Sequence, residues 1–135
     1  MATIDLRTET IGAIPSDAIR AHAAIVIPVD ATKVSGGLVN GNTYYLGEIP
    51  AGFLLKGTAL RVKTASALTG TMTLQDGGIT PLAAQIMNAI GMFYGTTSLP
   101  KYYKVATILY GVIATADIAD AIFDVVLDGI QLLPE

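Results

Sequence analysis

The sequence predicts an all-β fold, a single antiparallel β-sandwich of jelly-roll type with at most one or two short helices. Three observations lead there. Turn signals recur at short intervals, at Ile14-Pro15-Ser16-Asp17, Ser35-Gly36-Gly37, Asn40-Gly41-Asn42, Pro50-Ala51-Gly52, Asp76-Gly77-Gly78, Gly95 to Pro100 and Asp128-Gly129. Each offers a positive φ, a preset proline φ or an Asx turn, and closely spaced turns suit sandwiches and barrels. The segments between them mostly alternate apolar and polar residues. Finally, 135 residues with 52% hydrophobic and only 14% charged positions make one domain with ample core and exclude disorder. The expected division is a strand-like N-terminal arm over residues 1–13 and a sandwich domain over 14–135.

In chain order, Ile4 to Thr10 places Asp5, Arg7 and Glu9 opposite Ile4, Leu6 and Thr8, the pattern of a half-buried strand. Ala21 to Val29 is nearly continuous apolar around Ile25-Val26-Ile27, which suits a strand buried on both faces. Leu60 to Thr64 alternates again, with Leu60 and Val62 inward, and Thr71 to Gln75 does so with Met72 and Leu74. Lys101 to Tyr110 is rich in Tyr, Val, Thr and Ile, all good strand formers.

Two segments are contested. Thr80-Pro81 reads as a helix N-cap followed by proline at the first helical position. Leu82, Ile86, Ile90 and Phe93 follow at helical spacing, so a short helix is expected over residues 81–90. In Ala116 to Leu133, Asp117, Asp120, Asp124 and Asp128 fall three or four apart, as on an amphipathic helix. Against that, Ile122 to Leu127 is dense in β-branched residues, and Asp is a poor mid-helix residue. Strand is preferred, with Phe123, Val125 and Leu127 on one face.

Composition narrows the chemistry. Eight basic and eleven acidic residues give a net charge of −3, so there is no basic field and no nucleic-acid partner is expected. With no cysteine and a single histidine, His22, the usual transition-metal ligands are lacking. His22 reads as a core or strand-end residue. The four C-terminal aspartates read as a solvated face rather than a calcium site, because the dense EF-hand loop pattern is missing; clustering across a symmetry axis would instead allow an ion between subunits. Gly52 to Thr58 has P-loop letters in the wrong order, and G-x-S-x-G is absent. No cofactor and no enzymatic activity are expected. Gly77 to Pro100 is uncharged but broken by Pro81, Gln85 and Asn88, so no membrane span is expected. Met1 to Arg7 lacks the basic and apolar regions of a secretory signal.

The scarcity of charge points to surface covered by other chains, hence a homo-oligomer; a monomer surface rich in Thr, Ser, Asn and Gly is the alternative. The tyrosine doublets Tyr44-Tyr45 and Tyr102-Tyr103 place one ring on each face of a strand, one for the core and one for a partner. Together with Ile4 and Leu6 of the arm, which pairs with a neighbour or forms an edge strand of its own subunit, Tyr44, Tyr45, Tyr102 and Tyr103 are the interface candidates.

At Tyr44-Tyr45-Leu46-Gly47-Glu48-Ile49-Pro50-Ala51-Gly52, an aromatic strand entering an Ile-Pro-Ala-Gly turn, the sequence resembles small jelly-roll proteins of tailed-phage particles. Leu60 to Ala65, Gly70 to Gly77 and the late strand Phe123 to Asp128 extend the resemblance over roughly residues 42–130. It implies a capsid decoration, or cement, protein that binds the outer surface of a phage head, usually as a trimer at local three-fold positions, with the major capsid protein as partner. A receptor- or carbohydrate-binding head-fibre or tail module, and a baseplate or neck component, are alternatives on the same fold.

Overall fold

The computed structural model describes residues 3–5, 22–95 and 98–132, with only the backbone of residues 3–5, 22 and 23. Ten strands alternate between two sheets: β1 (Thr3–Asp5), β2 (His22–Asp30), β3 (Thr43–Ile49), β4 (Phe53–Thr64), β5 (Thr71–Gln75), β6 (Leu82–Ile86), β7 (Gly91–Gly95), β8 (Lys101–Tyr103), β9 (Thr107–Ala114) and β10 (Ile122–Gln131). A 3-10 turn at Ala31–Lys33, capped by the Asp30 side chain, is the only helical element among the described residues. None of their helices is long and apolar enough to cross a membrane.

The first sheet runs β1-β3-β9-β5-β6 and the second β2-β10-β4-β7, with β8 pairing β4 beyond the end of β7. Pairing is antiparallel except for β1, which lies parallel to β3. The pairs β5–β6, β4–β7, β3–β9 and β2–β10 nest one inside the next. A long hairpin rolled up in this way is a jelly roll, so the expected fold class is the observed one.

The core lies between the sheets. Tyr44, Leu46 and Ile49 of β3 and Leu109 and Ile113 of β9 face Phe53, Leu55 and Leu60 of β4 and Phe123, Val125 and Leu127 of β10, all fully buried. The strand reading of the C-terminal segment therefore holds: Phe123, Val125 and Leu127 share the inner face as period-2 alternation requires.

Three local expectations are corrected. The helix over 81–90 is instead β6, a turn and the start of β7. β6 pairs β5 through Leu74–Leu82 and Thr71–Ile86, satisfying backbone groups that a helix there would leave open on β5. Of the helical stripe, Leu82 is buried, whereas Ile86 and Ile90 are exposed. Pro81 just precedes the strand, where its missing N–H costs no ladder bond. Second, Ala21 to Val29 is not buried on both faces. β2 is an edge strand, with Ile25, Ile27 and Val29 inward and Ala24, Val26 and Pro28 exposed. Third, Asp128-Gly129 is no turn but a bulge inside β10. A Cβ at Gly129 would overlap the Leu54 carbonyl oxygen and stand 2.8 Å from the Phe53 ring, so close strand packing, not chain reversal, calls for glycine there. The turn expected at Ile14 to Asp17 lies outside the described residues.

Candidate interaction surface

The polar chemistry of the chain is built on Asp76. One carboxylate oxygen accepts from the backbone N–H groups of Gly78 and Ile79, both at 2.7 Å, and so forms the Asp-Gly-Gly turn after β5. The other accepts from Lys101 Nζ at 2.7 Å and from the Tyr103 hydroxyl at 2.6 Å. The Lys101 ammonium also lies 4.8 Å from the centre of the Tyr103 ring. Burial opposes ionisation of Asp76, but the ammonium, the phenol and the two N–H groups outweigh it and hold its carboxyl at about 2. Burial and the neighbouring carboxylate push the Tyr103 phenol well above its ordinary range. The cluster pins β8 to the end of β5 and has the character of a fastener: a paired carboxylate and a neutral phenol. The sequence marked Asp76 as a turn residue and nothing more, because its partners lie 25 and 27 positions away.

The tyrosine doublets divide as strand geometry dictates. Tyr44 is fully buried; its hydroxyl accepts from Val39 N–H at 2.7 Å and donates to the Gly37 carbonyl at 3.3 Å. Tyr103 is buried at the Asp76 cluster. Both rings belong to the core of their own chain, leaving Tyr45 and Tyr102, half-buried, as the rings that a partner could reach. Tyr45 stands edge-on to Tyr110 of the neighbouring β9, with ring centres 6.0 Å apart, and its hydroxyl donates to Glu48 Oε1 at 3.1 Å. For Ile4 only the backbone is described, paired with Tyr44 in the same chain; Leu6 and the side chain of His22 lie outside the described residues.

The four aspartates do not form one solvated face. Asp117 accepts from Asn40 N–H at 2.7 Å, and Asp120 accepts from Ala67 N–H at 3.2 Å, each fastening a distant loop. Asp124 is nearly buried between Lys63 at 3.3 Å and Arg61 at 3.9 Å. Asp128 lies further along β10. No three His, Cys, Asp or Glu among the described residues are placed to hold a metal ion.

Sequence reasoning missed the outer face of the second sheet. Register aligns Val26, Val126, Ala59 and Tyr94 in one row across β2, β10, β4 and β7, with Pro28, Asp124, Arg61 and Met92 in the next. At the β7 side, Ile90 is 72% exposed, Tyr94 76% and Met92 43%. A shallow groove of about 400 Å³ opens there between Arg61, Lys63, Ile90 and Met92. The signal lay in the uncharged run through β6 and β7, which reads as buried until the pairing shows which side faces out.

Fold and surface together define an all-β jelly-roll protein with sparse charge and a partly apolar sheet face. The same architecture occurs in a chain of the capsid of Ralstonia phage GP4, which matches with a TM-score of 0.64 and 15% identity over 97% of this chain and 99% of that one. No protein-family model and no curated protein sequence matches the chain.

Proposed function

We propose that this chain is a structural protein of a phage particle, and specifically a decoration or cement protein that binds the outside of the head and reinforces it. The observation that carries this reading is the shared fold with the Ralstonia phage GP4 capsid chain, which spans nearly all of both chains. The tyrosine-strand and Ile-Pro-Ala-Gly resemblance and the low charge, 14% of residues, support it independently. In this reading the chain acts as a homotrimer seated on the major capsid protein, without nucleic acid, membrane or cofactor. Residues 1–13 serve as an arm, and Ile4, Leu6, Tyr45 and Tyr102 contribute contacts.

The deciding experiment is copy number by quantitative mass spectrometry of purified particles, paired with binding of the recombinant chain to heads that lack it. Copies in proportion to the major capsid protein, saturable binding to the heads and a raised rupture temperature are the expected results. A handful of copies per particle, confined to the tail fraction, would replace the decoration role by a tail or neck role.

A further inference from the structure

The second sheet is divided by charge. Its β2 and β10 half carries Asp30, Asp124 and Asp128 and no Lys or Arg; its β4 and β7 half carries Lys56, Arg61 and Lys63 and no Asp or Glu. The halves meet within one chain at the Asp124 pairs with Lys63 and Arg61, yet Arg61 keeps 60% and Lys63 43% of its side chain exposed. Shape is divided in the same way. The β7 margin presents large, protruding Ile90, Met92 and Tyr94, while the β2 margin presents small Ala24, Val26 and Pro28. The β2 margin is also an open sheet edge nine residues long, with no strand on its far side among the described residues. Long apolar edges of this kind pair with other chains unless they are covered.

An acidic, low margin and a basic, protruding margin complement each other and not themselves. Opposed copies of either margin would set like charges together, which is costly at an interface. We propose that the β7 margin of one copy docks on the β2 margin of the next, a head-to-tail contact, and that three copies close it into a ring. A contact between unlike patches produces a ring when its rotation closes and a filament when it does not. The inference rests on the self-association included in the proposed function and names the surface that performs it.

The chain contains no cysteine, so introduced cysteines report proximity without background. Val26→Cys and Tyr94→Cys are placed separately and together, with Val105→Cys, exposed outside both margins, as collision control. Circular dichroism verifies each fold, and Pro28→Cys with Met92→Cys forms a second pair should the first fail to fold. After mild oxidation at micromolar concentration, the double variant is expected to yield a species of about 42 kDa, three copies of the 14.0 kDa chain in a closed ring. Mixed single variants should stop at the dimer, and each single variant alone should stay uncrosslinked, like the control. A parent chain that sediments as a monomer would overturn the self-association reading itself. An oligomeric parent whose double variant links no better than the control would overturn only the choice of surface. Single variants that link to themselves would make the contact two-fold and overturn the head-to-tail arrangement.

Discussion

Asp76 carries the best-resolved electrostatics of the chain. Its side chain has no solvent exposure, and four donors surround it. Asp76→Ala removes one partner of a buried pair and strands Tyr103, so a loss of about 3 kcal/mol is expected in urea unfolding, reduced from the upper range because Lys101 reaches solvent. Because the folded carboxyl sits at about 2, below the ordinary ~3.9, its contribution is full above about pH 4 and is lost as pH falls towards 2. Roughly 2 kcal/mol should disappear over that window, and the Asp76→Asn variant should show a flatter acid limb in its melting temperature. Tyr103 acts at the other extreme: above pH 10 the unfolded phenol ionises while the buried one resists, so stability declines there. Gly129 tests packing instead of charge. Gly129→Ala forces a methyl against Leu54 and Phe53, with an expected cost of about 2–3 kcal/mol read as a lowered urea midpoint at unchanged slope. Residues of this kind were half legible in the sequence. Asp76 and Gly129 both stood in turn-like dipeptides, and nothing local separated a turn that anchors a distant strand from a bulge inside one.

Among the elements, β10 and β6 show why one contested segment was read correctly and the other was not. In β10 the β-branched density and the inward set Phe123, Val125, Leu127 agreed with each other. In β6 and β7 the cap-like Thr80-Pro81 and the spacing of Leu82, Ile86 and Ile90 outweighed a weak strand pattern, and only the unpaired side of β5 decides against the helix. β2 erred in the opposite sense: an apolar run looks equally buried whether its outer face meets a protein layer or solvent. β1 is a short addition to the sheet, three residues paired with β3, which keeps β9 on its other side. Deleting residues 1–10 is therefore expected to leave the strand signal in circular dichroism intact and to lower the melting temperature by a few degrees, since about 1 kcal/mol shifts a domain of this size by roughly 2–8 °C. Loss of the signal would make the arm integral to the sandwich.

At the scale of the whole molecule, the nested pairing explains what sequence alone could not order. Turn spacing and alternation announced a sandwich, but the partners of β2, β3 and β4 are the late strands β10, β9 and β7, and single-strand patterns carry no address for them. This layout makes β10 a keystone: it is hydrogen-bonded to β2 on one side and β4 on the other. Truncation before Ile122 splits the second sheet and removes Phe123, Val125 and Leu127 from the core, so the shortened chain is expected to lack a cooperative melting transition. Non-local topology of this kind also predicts refolding on the millisecond-to-second scale or slower, measurable by stopped-flow fluorescence of the tyrosines.

The outermost pair has a consequence for synthesis on the ribosome. β2 is translated first, and the only strand that hydrogen-bonds to it, among the described residues, is completed about 100 residues later. At ~5–20 residues per second, the nascent chain carries an apolar, partnerless β2 for roughly 5–20 s. A strand that ends as an exposed edge thus begins as the segment most in need of a holding chaperone, and the cell meets its adhesive side well before any neighbouring subunit does.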